Sequence, residues 1–100
     1  MEKLSFQFKT TEPISKPIHL GVVSSGDLEI LMRPTNEKGQ TDVSIVTGSD
    51  GFKTVWENVL NRFFERYPIE ATIQINDFGA TPGVVYLRLT QVLEALKDEK

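Results

Sequence analysis

Ile18-His19-Leu20-Gly21-Val22-Val23-Ser24-Ser25-Gly26-Asp27-Leu28-Glu29-Ile30-Leu31-Met32 holds two apolar runs separated by a polar patch of four residues, Ser24 to Asp27. The pattern predicts two strands joined by a tight β-hairpin, with Ser25-Gly26 at the central turn positions. The Ser25 hydroxyl then stands at a loop tip, within reach of another protein. Gly26 tolerates φ > 0 and places no side chain beside that hydroxyl. Asp27 sets a carboxylate two residues away. Ser-Gly and Gly-Asp are also ordinary turn residues, so the hairpin by itself requires no further purpose.

Outward from this hairpin, Leu4, Phe6 and Phe8 alternate with polar neighbours, the period of a strand with one buried face. Thr10 to Pro17 carries two prolines and reads as a loop or an irregular edge. Ile18, Leu20 and Val22 share one parity, as do Leu28, Ile30 and Met32, and Arg33-Pro34 closes the second run. Pro34 to Thr41 is a connection, after which Val43, Ile45 and Thr47 alternate again.

At Gly48-Ser49-Asp50-Gly51 the period changes. Val55, Trp56, Val59, Leu60, Phe63, Phe64 and Tyr67 recur at three and four, predicting one face of a helix capped by Asp50 or Ser49 and stopped by Pro68. Ala71 to Ile75 reads as a strand. Thr81-Pro82 supplies an N-cap and a first-turn proline to a second helix, with Val85, Leu89, Val92, Leu93 and Leu96 as its stripe. Its charged end, Lys97 to Lys100, is expected to fray. The expected architecture is α+β: a two-layer, mostly antiparallel sheet of about five strands with two helices packed on one face. Residues 1–100 are read as a single domain.

Eleven basic and 14 acidic side chains give a formal charge of −3, and no basic stripe interrupts the pattern, which argues against nucleic-acid binding. The sequence has no cysteine, which excludes disulfides, thiolate metal sites and a cysteine nucleophile. No apolar run approaches the roughly 18 residues of a membrane span. Met1-Glu2-Lys3-Leu4 does not begin a signal pattern. The expectation is a cytoplasmic protein without membrane contact.

His19 is the only histidine, so no imidazole metal cluster is expected, and a histidine on a strand reads as a half-exposed structural residue. The pairs Asp27 with Glu29 and Asp98 with Glu99 read as solvated surface rather than acid–base machinery. Phe52, Trp56, Phe63, Phe64 and Tyr67 form a packing stripe, since base-stacking platforms come with a basic groove. Asp77-Phe78-Gly79 repeats three letters of a kinase metal motif, but a chain of 100 residues lacks room for the accompanying lobes, and the segment reads as a turn. Gly79 to Gly83 reads as a glycine-rich connection, the alternative being a phosphate seat at the following helix start.

Gly21-Val22-Val23-Ser24-Ser25-Gly26-Asp27-Leu28-Glu29-Ile30-Leu31, followed by Asp77-Phe78-Gly79-Ala80-Thr81-Pro82-Gly83-Val84-Val85, resembles the acyl carrier (delta) subunit of bacterial malonate decarboxylase. The likeness extends over nearly the whole chain, including Phe63-Phe64 and Leu87-Arg88-Leu89. It implies that Ser25, the serine directly before Gly26-Asp27, carries a covalent 2'-(5''-phosphoribosyl)-3'-dephospho-CoA arm through a phosphodiester, with Gly26 and Asp27 completing the attachment site. It further implies a non-catalytic carrier that presents acetyl and malonyl thioesters to the transferase and decarboxylase subunits and is loaded by a dedicated transferase. Asp27 then either positions the loading enzyme or stabilises the turn. The carrier (gamma) subunit of citrate lyase shares a shorter Ser-Gly-Asp core and the same kind of arm. That carrier and an unmodified α+β interaction module remain the alternatives.

Overall fold

The computed structural model describes residues 2–21, 27–36, 38–48 and 50–98. Strands β1 (Glu2–Lys9), β3 (Ile18–Gly21), β4 (Leu28–Arg33), β5 (Gln40–Thr47) and β7 (Thr72–Asp77) form one sheet in the order β1-β5-β7-β4-β3. Helix α1 (Lys53–Arg66) follows β5, and α2 (Pro82–Asp98) follows β7. Three of the four strand pairings are antiparallel, and β5 with β7 is parallel. The expected α+β architecture, a mostly antiparallel sheet of about five strands with two helices on one face, is the observed one, and β5–β7 is its parallel pair. A parallel pair cannot be closed by a hairpin, and α1 lies within the crossover that β5–β7 requires.

The alternating residues of each strand line up across the sheet. Phe6 faces Val43, Val43 faces Ile73, Ile73 faces Met32 and Met32 faces Ile18, one continuous apolar row. Leu4, Ile45, Ile75 and Ile30 make the next row. Against these pack Trp56, Leu60, Phe63 and Phe64 of α1 and Val85, Leu89 and Val92 of α2, all buried. Phe63 meets Phe64 edge-on at 5.2 Å between centroids, and Phe64 stacks on Phe8 at 4.7 Å, joining helix to edge strand.

The segment Thr10–Pro17, expected as a loop or an irregular edge, includes an edge: a short strand, β2 (Glu12–Pro13), pairs in parallel with β6 (Ile69–Glu70) and ties the segment down beside the crossover. Pro13 is tolerated there because a two-strand ribbon is all edge. Two expectations are corrected. Helix α1 starts later than Asp50 or Ser49 would allow: its N-cap is Phe52, with no side-chain cap hydrogen bond, and Ser49 lies outside the described residues. Phe52 is consequently off the helix and 49% exposed, and Val55 is 38% exposed, so neither belongs to the packing stripe. For α2 the expected cap is present, with Thr81 Oγ1 accepting the Val84 N–H at 3.4 Å.

A buried polar knot closes the end of the sheet where β5 and β7 begin. Thr41, fully buried, donates its hydroxyl to the Ile69 carbonyl at 2.6 Å and accepts the Ala71 N–H at 3.1 Å. With that proton spent, Thr10 is the donor in the 2.9 Å contact between the two hydroxyls. Glu70, also buried, accepts the Gly39 N–H at 2.6 Å. Replacing Thr41 by valine keeps the shape but strands the Ala71 N–H and the Thr10 hydroxyl. We expect Thr41→Val to lower stability by about 1–3 kcal/mol, read as a lower urea midpoint at an unchanged m-value.

Candidate functional site

Ser25 and Gly26, with the turn expected around them, lie outside the described residues, as do Val22, Val23 and Ser24. The strand ends that flank them are described. Gly21 of β3 faces Glu29 of β4, and Asp27 directly precedes β4. Leu28 is fully buried, so the chain two residues beyond Asp27's neighbour Gly26 is already part of the core.

Asp27 is held from three directions. Its carbonyl accepts the Phe78 N–H at 2.8 Å, which joins it to the chain just past β7. Its Oδ1 accepts the Leu28 N–H at 2.8 Å. From α2, Arg88 donates Nε to Oδ1 at 3.0 Å and Nη2 to Oδ2 at 2.6 Å, a two-pronged guanidinium–carboxylate pair. The remaining Arg88 nitrogen, Nη1, donates to Gln91 Oε1 at 2.9 Å, which fixes the fork on the helix. The Arg88 side chain is 26% exposed and that of Asp27 15%, so the pair is partly shielded from water. The Arg88 fork, and then the Leu28 N–H, hold the Asp27 carboxyl below its ordinary value, while Asp27 raises the pKa of Arg88.

Glu29 is engaged separately. It accepts Asn76 Nδ2 at 2.9 Å and meets His19 Nε2 at 2.8 Å, and the Asn76 bond, followed by that of His19, lowers its pKa. Asp27 and Glu29 are therefore not the free solvated pair the sequence suggested; each has partners of its own. His19 sits on β3 with its side chain 60% exposed.

Asp77-Phe78-Gly79 forms the β7–α2 turn. Asp77, buried, accepts the Thr47 hydroxyl on Oδ2 at 2.8 Å, and on Oδ1 the N–H groups of Gly79 at 3.2 Å and Ala80 at 2.8 Å. Gly79 has φ +99°, a conformation that favours glycine. The donors ahead of α2 are thus taken by a carboxylate, which disfavours a phosphate in that place and leaves the connection reading. Beside this turn, between the α1 and α2 starts, a cleft of about 330 Å³ opens over Asp77.

Arg88 was legible only as part of a basic-apolar triplet, not as the partner of Asp27. The usable signal was a lone cation between Val85 and Leu89 of the apolar stripe, a position that calls for a carboxylate nearby.

A small α+β fold that fixes Asp27, two residues past Ser25, against a helix has the form of a carrier domain, and comparisons with known proteins agree. The family model for the malonate decarboxylase delta subunit matches residues 15–96. The chain is 45% identical over 95 residues to the malonate decarboxylase acyl carrier protein of Stutzerimonas stutzeri (strain A1501), covering 94% of this chain and 95% of that one. With the protein of the same name from Acinetobacter calcoaceticus it shares 40% identity over 103 residues, covering 99% and 100%. A chain of the crystal structure of a Pseudomonas malonate decarboxylase hetero-tetramer in complex with malonate superposes with a TM-score of 0.89 at 40% identity, covering 96% of this chain and 99% of that one. The chain belongs to the malonate decarboxylase acyl carrier protein (delta subunit) family.

The ion pair makes a prediction about acid. A carboxyl with a depressed folded-state pKa contributes stability that is fully present above its unfolded value and is lost as pH falls through the folded one. The stability gap between the parent and Arg88→Gln is therefore expected to be constant from neutral pH down to about the ordinary aspartate value of 3.8, and to shrink below it. Carboxyl NMR titration should show the Asp27 pKa moving upward in Arg88→Gln.

Proposed function

We propose that this chain is the acyl carrier subunit of a malonate decarboxylase, that Ser25 is its attachment point, and that it works as a carrier rather than as an enzyme. The observation that carries the reading is the anchoring of Asp27. Two residues past Ser25, the chain is fixed to α2 by Arg88 and to the end of β7 through Phe78. A tether needs a root that does not swing, and a loading enzyme needs a hydroxyl presented on a rigid base. The names of the relatives and the assembly that holds the similar chain support malonate decarboxylase over citrate lyase as the setting.

The residues present fit a phosphoribosyl-dephospho-CoA arm bound through a phosphodiester. The attachment serine follows another serine and precedes glycine, so no bulky side chain crowds the link. Asp27, already paired with Arg88, does not present an uncompensated negative charge to the phosphate. When bound, the arm supplies the thiol that holds acetyl or malonyl groups, which a cysteine-free chain cannot supply itself. This chain's own part is to hold the root, keep the arm near the transferase and decarboxylase subunits, and so replace free diffusion with a high local concentration.

Intact-mass and peptide analysis of protein from its native host tests the reading. The parent and Ser24→Ala are expected to exceed their sequence masses by one arm, and Ser25→Ala to show its sequence mass alone with an unchanged far-UV CD spectrum. A Ser25→Ala protein that still gains the arm, or a bare parent in an assembly that processes malonate, overturns it.

A further inference from the structure

The cleft beside the β7–α2 turn has a composition that selects its occupant. Val55 and Trp56 of α1 form one wall, Pro82 and Val85 of α2 the other, and exposed Phe52 stands at the rim. The floor is polar but spent: the Thr47 hydroxyl is donated to Asp77, and Asp77 accepts two backbone N–H groups besides. At the α2 start, Pro82 has no N–H, and the Val84 N–H is taken by Thr81. The site thus offers apolar walls above a buried carboxylate. A thin, neutral, largely apolar group gains by entering, whereas an anion meets the charge of Asp77 in a cleft whose lining, among the described residues, holds no cationic side chain to offset it.

The cleft also lies next to the root of the arm. Phe78, whose neighbour Gly79 lines it, donates its N–H to the Asp27 carbonyl, and Asp27 is two residues from Ser25. Resting on the carrier reading above, we infer that this cleft is a resting site for the acyl-pantetheine end of the protein's own arm, and that it takes the acetyl form while excluding the malonyl form. The acetyl thioester is neutral and fits the walls; the malonyl group carries a carboxylate toward Asp77. The charged group stays outside, exposed to a partner's active site, and the neutral product returns to the cleft. Strong binding is not required. A flexible tether holds its end at an effective concentration on the order of millimolar, so a cleft with a free-ligand Kd of about 1 mM is about half occupied on the loaded protein.

Trp56 is the chain's only tryptophan and lines the cleft, which provides a reading independent of activity. Ser25→Ala protein, which presents no attachment hydroxyl at that position, is titrated with acetyl-pantetheine and with malonyl-pantetheine while Trp56 fluorescence is followed. The expected result is a saturable change with a Kd in the millimolar range for the acetyl compound and at least about tenfold weaker binding for the malonyl one, the order of effect of bringing a charge to an apolar site. The wall variant Val55→Glu, at a half-exposed position that tolerates a polar side chain, is expected to abolish the acetyl response with an unchanged CD spectrum. No saturable change with either compound, equal affinity for both, or an undiminished response in Val55→Glu overturns the inference. Its failure is distinct from that of the carrier reading: a mass gain at Ser25 without acetyl-pantetheine binding sinks the cleft alone, whereas a bare Ser25 sinks the carrier reading and, with it, the arm as the occupant of the cleft.

Discussion

The parallel pairing of β5 with β7 is the constraint on which the remaining architecture depends. Two parallel neighbours cannot be joined by a turn, so the chain between Thr47 and Thr72 must leave the sheet, cross one face and return. Helix α1 makes that crossing and β6 completes the return, which fixes one face of the sheet as the covered one. Once β7 is central, β4 pairs on its other side and brings β3 with it. The end of β7 thereby becomes the meeting point of Thr47, Asp77, Leu28 and, through Phe78, Asp27.

Chemistry is concentrated at that meeting point because strand ends are where side chains escape the ladder. Asp77 turns the chain into α2, and α2 in turn carries Arg88 back to Asp27. The two carboxylates thus divide the labour: one sets the start of the helix, the other receives a cation from it. The interval from Pro82 to Arg88 decides whether the guanidinium meets its partner, since a helix shifted by one residue turns every side chain by about 100°.

How much of this was legible follows from the range of each interaction. The alternation of Leu4, Phe6 and Phe8, of Leu28, Ile30 and Met32, and of Val43, Ile45 and Thr47 is written locally, and those strands were found. The periodic stripes from Trp56 to Phe64 and from Val85 to Leu93 gave both helices. Pairing direction was hidden because a period of two is the same in parallel and antiparallel strands. β2 and β6 were hidden because two residues carry no period at all. The α1 start was misjudged because Asp50 and Ser49 match a local capping pattern, whereas the helix begins at Lys53 with Phe52 as its N-cap. Arg88 with Asp27, and Thr47 with Asp77, join residues 61 and 30 positions apart, and no local pattern encodes such a meeting. Ser25 rests on its neighbours Gly26 and Asp27 and on the resemblance they carry, and it lies outside the described residues.

The Thr10, Thr41 and Ile69 knot lies where β5 and β7 begin, and Asp27 lies where β7 ends, a strand's length or roughly 20 Å away. Fluorescent labels, surface immobilisation and stabilising mutations intended to spare cargo delivery belong at the threonine pole. An engineer can stiffen the foot of this molecule while its working hand stays untouched.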